Sequence, residues 1–153
     1  MVFMDEVHFN SKDLRKRSVL GPKSQRVHVS TDSSLSFSFS LTVAIRFDGS
    51  IFVSPQRSTN DQYNCLDYIT AAIESDFLKE GDVLIMDNAT VHLGDDTHPI
   101  IVERLTNAGV DIRFLPAYSP ELNPIELVFG YVKNYVRHHR TLQESNLTIV
   151  FLC

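Results

Sequence analysis

From Leu35 to Phe47 apolar and polar residues alternate without a break. Leu35, Phe37, Phe39, Leu41, Val43, Ile45 and Phe47 are separated by Ser36, Ser38, Ser40, Thr42, Ala44 and Arg46. A strict period of two sends the two sets to opposite faces of an extended chain, so the stretch predicts a half-buried strand. Asp48 and Gly49 form a turn dipeptide, and "SIFVS" beyond it completes a hairpin. The opening "VFMDEVHF" is also strand-like, with Asp5 in its interior, an unusual place for a charge. Between Asn60 and Lys79 the period lengthens. Tyr63, Leu66, Thr70, Ile73 and Phe77 recur at the spacing of a helix laid against a sheet, and Gly81 reads as its stop. "DVLIMDN" is apolar and too short for a helix, which predicts a strand covered on both faces and ending on Asp87. A second helix is expected from about Pro99 to Ala108 with Gly109 as its cap, then the strand "DIRFL". A final helix should start near Pro124 and reach roughly Arg140.

The order is three strands, then helix, strand, helix, strand, helix. A hairpin meander followed by parallel strands with crossover helices makes an α/β protein with a mixed sheet, and right-handed crossovers restrict its winding. This order resembles the ribonuclease H-like fold: three antiparallel strands, then parallel ones. With 153 residues, 43% of them hydrophobic, the expectation is a single domain spanning 1–153. Two cysteines, Cys65 and Cys153, argue against a disulfide framework and for a reducing compartment. Acids within the first six residues speak against a signal peptide, and no run reaches membrane-spanning length, so no membrane partner is expected.

Charge changes the picture through its distribution. A net charge of −5 taken alone speaks against a nucleic-acid partner. Yet Lys12, Arg15, Lys16, Arg17, Lys23 and Arg26 crowd the segment after the first strand, with only Asp13 and Asp32 against them. The segment reads either as a solvated loop or as a phosphate-contacting arm.

Three acids stand where elements meet, and each has an ordinary explanation. Asn123 as N-cap would make Pro124 the first helical residue and Glu126 the third, a capping box contributing about 1 kcal/mol. Asp5 could be a polar edge-strand residue, and Asp87 could cap a turn before "ATVH". In the predicted element order, however, the first strand and the "VLIMDN" strand can lie side by side with the last helix across them, and the three carboxylates then converge. Like charges about 4 Å apart repel by about 4 kcal/mol at an effective dielectric of 20, more than a cap returns. Either one acid is protonated or a divalent cation sits among them. Oxygen ligands suit magnesium or manganese, and two such ions about 3.5–4 Å apart support phosphodiester chemistry. His92 is either a substrate contact or a surface histidine.

"MDEVHF", "LIMDNATVH" and "LPAYSPELNPIE" resemble the three acidic motifs of the mariner-like transposases and their insertion-sequence relatives, the DDE superfamily endonucleases. The resemblance runs from about Phe3 to Arg140. It implies that Asp5, Asp87 and Glu126 are the catalytic acids and ligands of two Mg2+ or Mn2+ ions. Asn88, His92 and Asn123 match polar residues supporting the acids or touching substrate. It further implies hydrolysis at transposon ends and attack of the freed 3′-hydroxyl on target DNA, with no covalent enzyme intermediate. DNA is the expected partner, a homodimer is allowed for, and the location is nuclear in a eukaryote and cytoplasmic otherwise.

Helix geometry adds a separate observation. At about 100° per residue, Gly130, Lys133, Arg137 and Arg140 fall within about 40° of Glu126, making that edge of the helix basic. It is either a DNA-tracking edge or a solvated face favoured by the helix dipole. The resemblance gives a similar role to Lys12, Arg15, Lys16, Arg17 and Lys23, in the loop that joins subunits and DNA. Three features depart from the family. The chain begins at the first acidic strand without helix-turn-helix domains for end recognition; 38 residues separate Asp87 from Glu126, longer than the commonest mariner-type spacing; and "NLTIVFLC" closes the chain as a truncated copy would. The competing expectations are a catalytically unused relic or host-adopted binding domain, and another ribonuclease H-like nuclease.

Overall fold

The computed structural model describes residues 1–10, 23, 38–57, 61–88, 94–117 and 119–138, without side-chain detail for 136–138. Among them five strands form one sheet: β1 (Val2–Asn10), β2 (Ser38–Arg46), β3 (Ile51–Gln56), β4 (Val83–Met86) and β5 (Asp111–Phe114). Three helices join them: α1 (Gln62–Glu74), α2 (His98–Asn107) and α3 (Ile125–His138). The spatial order is β3-β2-β1-β4-β5, antiparallel between β1, β2 and β3 and parallel from β1 through β4 to β5. The mixed sheet read from the sequence is therefore present in its predicted element order. No helix of the described residues is long and apolar enough to cross a membrane.

β1 lies at the centre, and its alternation feeds two cores. Val2 and Met4 pack with Leu84, Met86 and the inner faces of α1 and α2. Phe3, Val7 and Phe9 pack with Leu41, Val43 and the Ile125–Phe129–Val132 stripe of α3. Asp5 belongs by parity to the second face, between Phe3 and Val7, and so lies beneath α3. The β1–β4 register pairs Val2 with Leu84 and Phe3 with Ile85; two residues further along, the same register brings Asp87 level with Asp5.

The hairpin turns at Asp48 and Gly49 as expected, Asp48 Oδ1 accepting the Ser50 N–H at 2.8 Å. At the same end of β2, Arg46 joins the hairpin to the segment between α1 and β4. Its guanidinium donates to both carboxylate oxygens of Asp82, at 2.6 and 2.8 Å, and to the Phe77 carbonyl at 2.6 Å. This fork binds the end of β2 to the approach to β4.

Helix α1 differs from its sequence reading in face and in end. Its buried line is Cys65, Tyr68, Ile69 and Ala72, while Tyr63 is 56% exposed and Leu66 and Ile73 pack only as flanks. The small Cys65 and Ala72 share this line with the bulkier Tyr68 and Ile69, and Leu66, Ile73 and Phe77 pack beside it, half-buried. The helix stops at Glu74 because the chain turns left-handed at Asp76 (φ 58°), which returns Leu78 to the core through a hydrogen bond from its N–H to the Ala72 carbonyl. Gly81 is not the helix stop. With φ 85° it starts the run into β4, and its N–H donates to the carbonyl of Gly109, which closes α2 as expected (φ 69°).

Candidate active site

Asp5 is 9% exposed, and both its oxygens are held. Oδ1 accepts the Glu6 N–H at 2.7 Å, and Oδ2 accepts Nδ2–H of Asn123 at 2.7 Å. Burial pushes its pKa up to about 7; the Glu6 N–H acts against the rise, and the negative charges of Asp87, Glu6 and Glu126 add to it. Asp87, half-buried, is the residue immediately after β4. Glu126 is exposed in the first turn of α3, where the helix dipole favours an anion.

Asn123 supplies the cap foreseen for α3, its Oδ1 accepting the Ile125 N–H at 3.2 Å. The reciprocal half of the capping box is absent. The Asn123 N–H goes instead to the Pro120 carbonyl, closing the 3-10 turn Pro120–Leu122, and Glu126 is left to face the cleft. The turn uses the prolines of "SPELNP" to aim the chain into the helix. Asn88 Nδ2 donates to the Leu115 carbonyl at 2.7 Å, tying the ends of β4 and β5.

These groups line one cleft of about 380 Å³. Asp5, Asp87 and Glu126 form its acidic side with Asn88 and Asn123, while Leu115, Pro116, Ala117 and Pro120 give it an apolar wall. Among the described residues no three acidic, imidazole or thiolate side chains stand close enough to form a closed metal cage. The three acids thus share a cleft, in a looser arrangement than direct convergence on an ion. His92, Lys12, Arg15, Lys16, Arg17 and Arg140 lie outside the described residues, as does the side chain of Arg137. Lys23 is exposed and Lys133 half-buried. The sequence reading missed Leu115 as the anchor of Asn88, although its place at the end of the strand beside β4 was a usable signal. It also missed Glu6, whose charge reaches Asp5 and which only the folded electrostatics reveal.

A central strand and its parallel neighbour each deliver an acid to one cleft, with a third on the crossing helix, in a ribonuclease H-like fold. The catalytic core domain of BIV integrase is similar in fold: TM-score 0.58 at 13% identity, covering 99% of this chain and 80% of that one. The family model for DDE superfamily endonucleases matches residues 1–148, and the chain belongs to that family. The Mos1 strand transfer complex aligns with TM-score 0.70 at 16% identity, over 99% of this chain and 45% of that one. The Mos1 mariner paired end complex with Mn aligns with TM-score 0.60 at 18% identity, over 86% and 41%. The chain thus spans less than half the length of the Mos1 chains it matches. No curated protein sequence matches it.

Proposed function

We propose that this chain is the catalytic domain of a mariner-like transposase that cuts transposon ends and joins the freed 3′-hydroxyl to target DNA. The observation that carries the reading is that Asp5, Asp87 and Glu126 line one cleft, Asp5 from β1 and Asp87 from the end of its parallel neighbour β4. Similarity to Mos1 complexes described as strand transfer and paired end structures supports DNA as the substrate, and their Mn and Mg forms support a divalent cation.

The donors fit such an ion. All are oxygens, the set preferred by hard cations, and Mg2+ is typically held by one or two carboxylates plus water and substrate phosphate, without a closed protein cage. Asp5, Asp87 and Glu126 would hold two ions of Mg2+ or Mn2+. When bound, these supply Lewis acidity toward a phosphodiester and lower the pKa of water. The chain's own residues do the rest. Asn123 orients Asp5, Asn88 fixes the end of β4 that carries Asp87, and the helix terminus steadies Glu126. Leu115, Pro116, Ala117 and Pro120 border the acids on the apolar side of the cleft. DNA-tracking roles for Lys12, Arg15, Lys16, Arg17, Lys23, Lys133, Arg137 and Arg140, a substrate role for His92, a homodimer, and nuclear location in a eukaryotic host complete the proposal.

The test is a supercoiled plasmid with Mn2+. The wild-type chain is expected to nick it, and Asp87→Asn to abolish nicking while leaving DNA binding largely intact. Nicking that survives Asp87→Asn would sink the assignment.

A further inference from the structure

Asn123 is 5% exposed and is used at every polar atom. Its backbone N–H donates to Pro120 and its carbonyl accepts the Glu126 N–H. Its side-chain oxygen caps α3 at Ile125, and its side-chain N–H holds Asp5 across 118 residues of sequence. One planar amide therefore spans the joint between the helix that carries Glu126 and the strand that carries Asp5.

We propose that Asn123 is a positioning residue for the metal site: its amide fixes the carboxylate plane of Asp5 and, through the cap, the distance from Asp5 to Glu126. The inference rests on the assignment of these acids as metal ligands. With Oδ1 held by Glu6 N–H and Oδ2 by Asn123, rotation of the Asp5 carboxylate is locked, and one lone pair on each oxygen stays available to the cleft. Neither donor can be replaced by cleft water without freeing that rotation. The cap works on the other acid: Glu126 is three residues along from the capping atom, so its backbone moves with Asn123.

The two jobs can be separated chemically. Ser at this position caps a helix but is too short to reach Asp5, and Ala does neither. Mn2+ binding to the full chain is measured by calorimetry for wild type, Asn123→Ser, Asn123→Ala and Asp87→Asn, each below its own melting temperature. Positioning predicts that Asn123→Ser weakens Mn2+ binding about tenfold or more, as does Asn123→Ala, even where the Ser variant melts higher than the Ala variant. Equal Mn2+ affinity in wild type and Asn123→Ser would overturn positioning while Asp87-dependent binding, and with it the site, stands. Binding indifferent to Asp87→Asn would remove both. A second readout needs no variant. In the wild-type chain the Asn123 side-chain amide protons must shift in NMR spectra as Mg2+ saturates the site, and protons that stay fixed while amides near Asp87 move would overturn the proposal.

Discussion

Asp5 carries a carboxylate where the fold gives water little access to it. Burial is the largest influence on it, opposed by the Glu6 N–H and reinforced by Asp87, Glu6 and Glu126, and its pKa rises to about 7. A carboxyl with a folded pKa above its unfolded value binds more protons when folded. Its contribution to stability is complete below the unfolded value of 3.8 and is lost as pH rises through about 7. In chelator, the stability of wild type relative to Asp5→Asn is therefore expected to fall by on the order of 2–4 kcal/mol between pH 4 and pH 8, on top of a pH-independent cost to the variant, whose amide NH2 must face one of the two N–H donors. Urea unfolding of both chains across that range checks it; a difference that stays constant with pH would mean that the charge is already relieved. The acids themselves stood out in the sequence because each occupies an unusual or terminal place: a charge inside an apolar strand, a charge just past one, a charge in a helix's first turn. The Asn123–Asp5 bond was not. Its partners lie far apart in sequence, and a rotamer fixed by tertiary packing leaves no trace in local pattern.

β2 declared itself through period two and β4 through a short unbroken apolar run, and even the hairpin turn could be placed to the residue. The inner face of α1 could not, because Tyr63, Leu66, Thr70, Ile73 and Phe77 form a helical stripe as regular as the one actually buried. Hydrophobicity favoured the larger side chains, whereas the buried line mixes the small Cys65 and Ala72 with Tyr68 and Ile69. The difference is measurable. Ile69, fully buried, should cost about 2–5 kcal/mol when truncated to Ala, while Tyr63→Ala on the exposed flank should stay within about 0.5 kcal/mol. Comparable losses at both positions by thermal or urea unfolding would restore the sequence reading of the face. The Arg46–Asp82 fork is a further feature hidden from pattern, since nothing local distinguishes Arg46 from any polar residue at the end of an alternating strand.

On the scale of the molecule, a net charge of −5 and a proposed DNA substrate are compatible only if the cations are gathered at the cleft. Lys133 lies two turns along α3 from Glu126, and we propose that with Arg137 and Arg140, which continue the same spacing in the sequence, it follows a phosphate backbone past the acids. Replacing all three by Ala is expected to lower the slope of log K against log salt by up to roughly 3. A salt series with duplex DNA measures it, and an unchanged slope would remove the basic edge from the DNA path. The position of β1 has another consequence, in time. The centre of the sheet is made first during synthesis, but its parallel neighbour β4 is completed only at Met86, and the helix that roofs its other face later still. Helix α1 can cover Val2 and Met4 before β4 is made, but the edge of β1 that pairs with β4 stays free until residues 83–86, and the face carrying Phe3 and Val7 is roofed only when α3 follows. Such separations slow folding through the entropy of closing long loops and lengthen the interval in which an unpaired strand can find the wrong partner. The arrangement that brings Asp5 and Asp87 level thus ties completion of the acidic cleft to the arrival of residues 83–86 and of α3 after them.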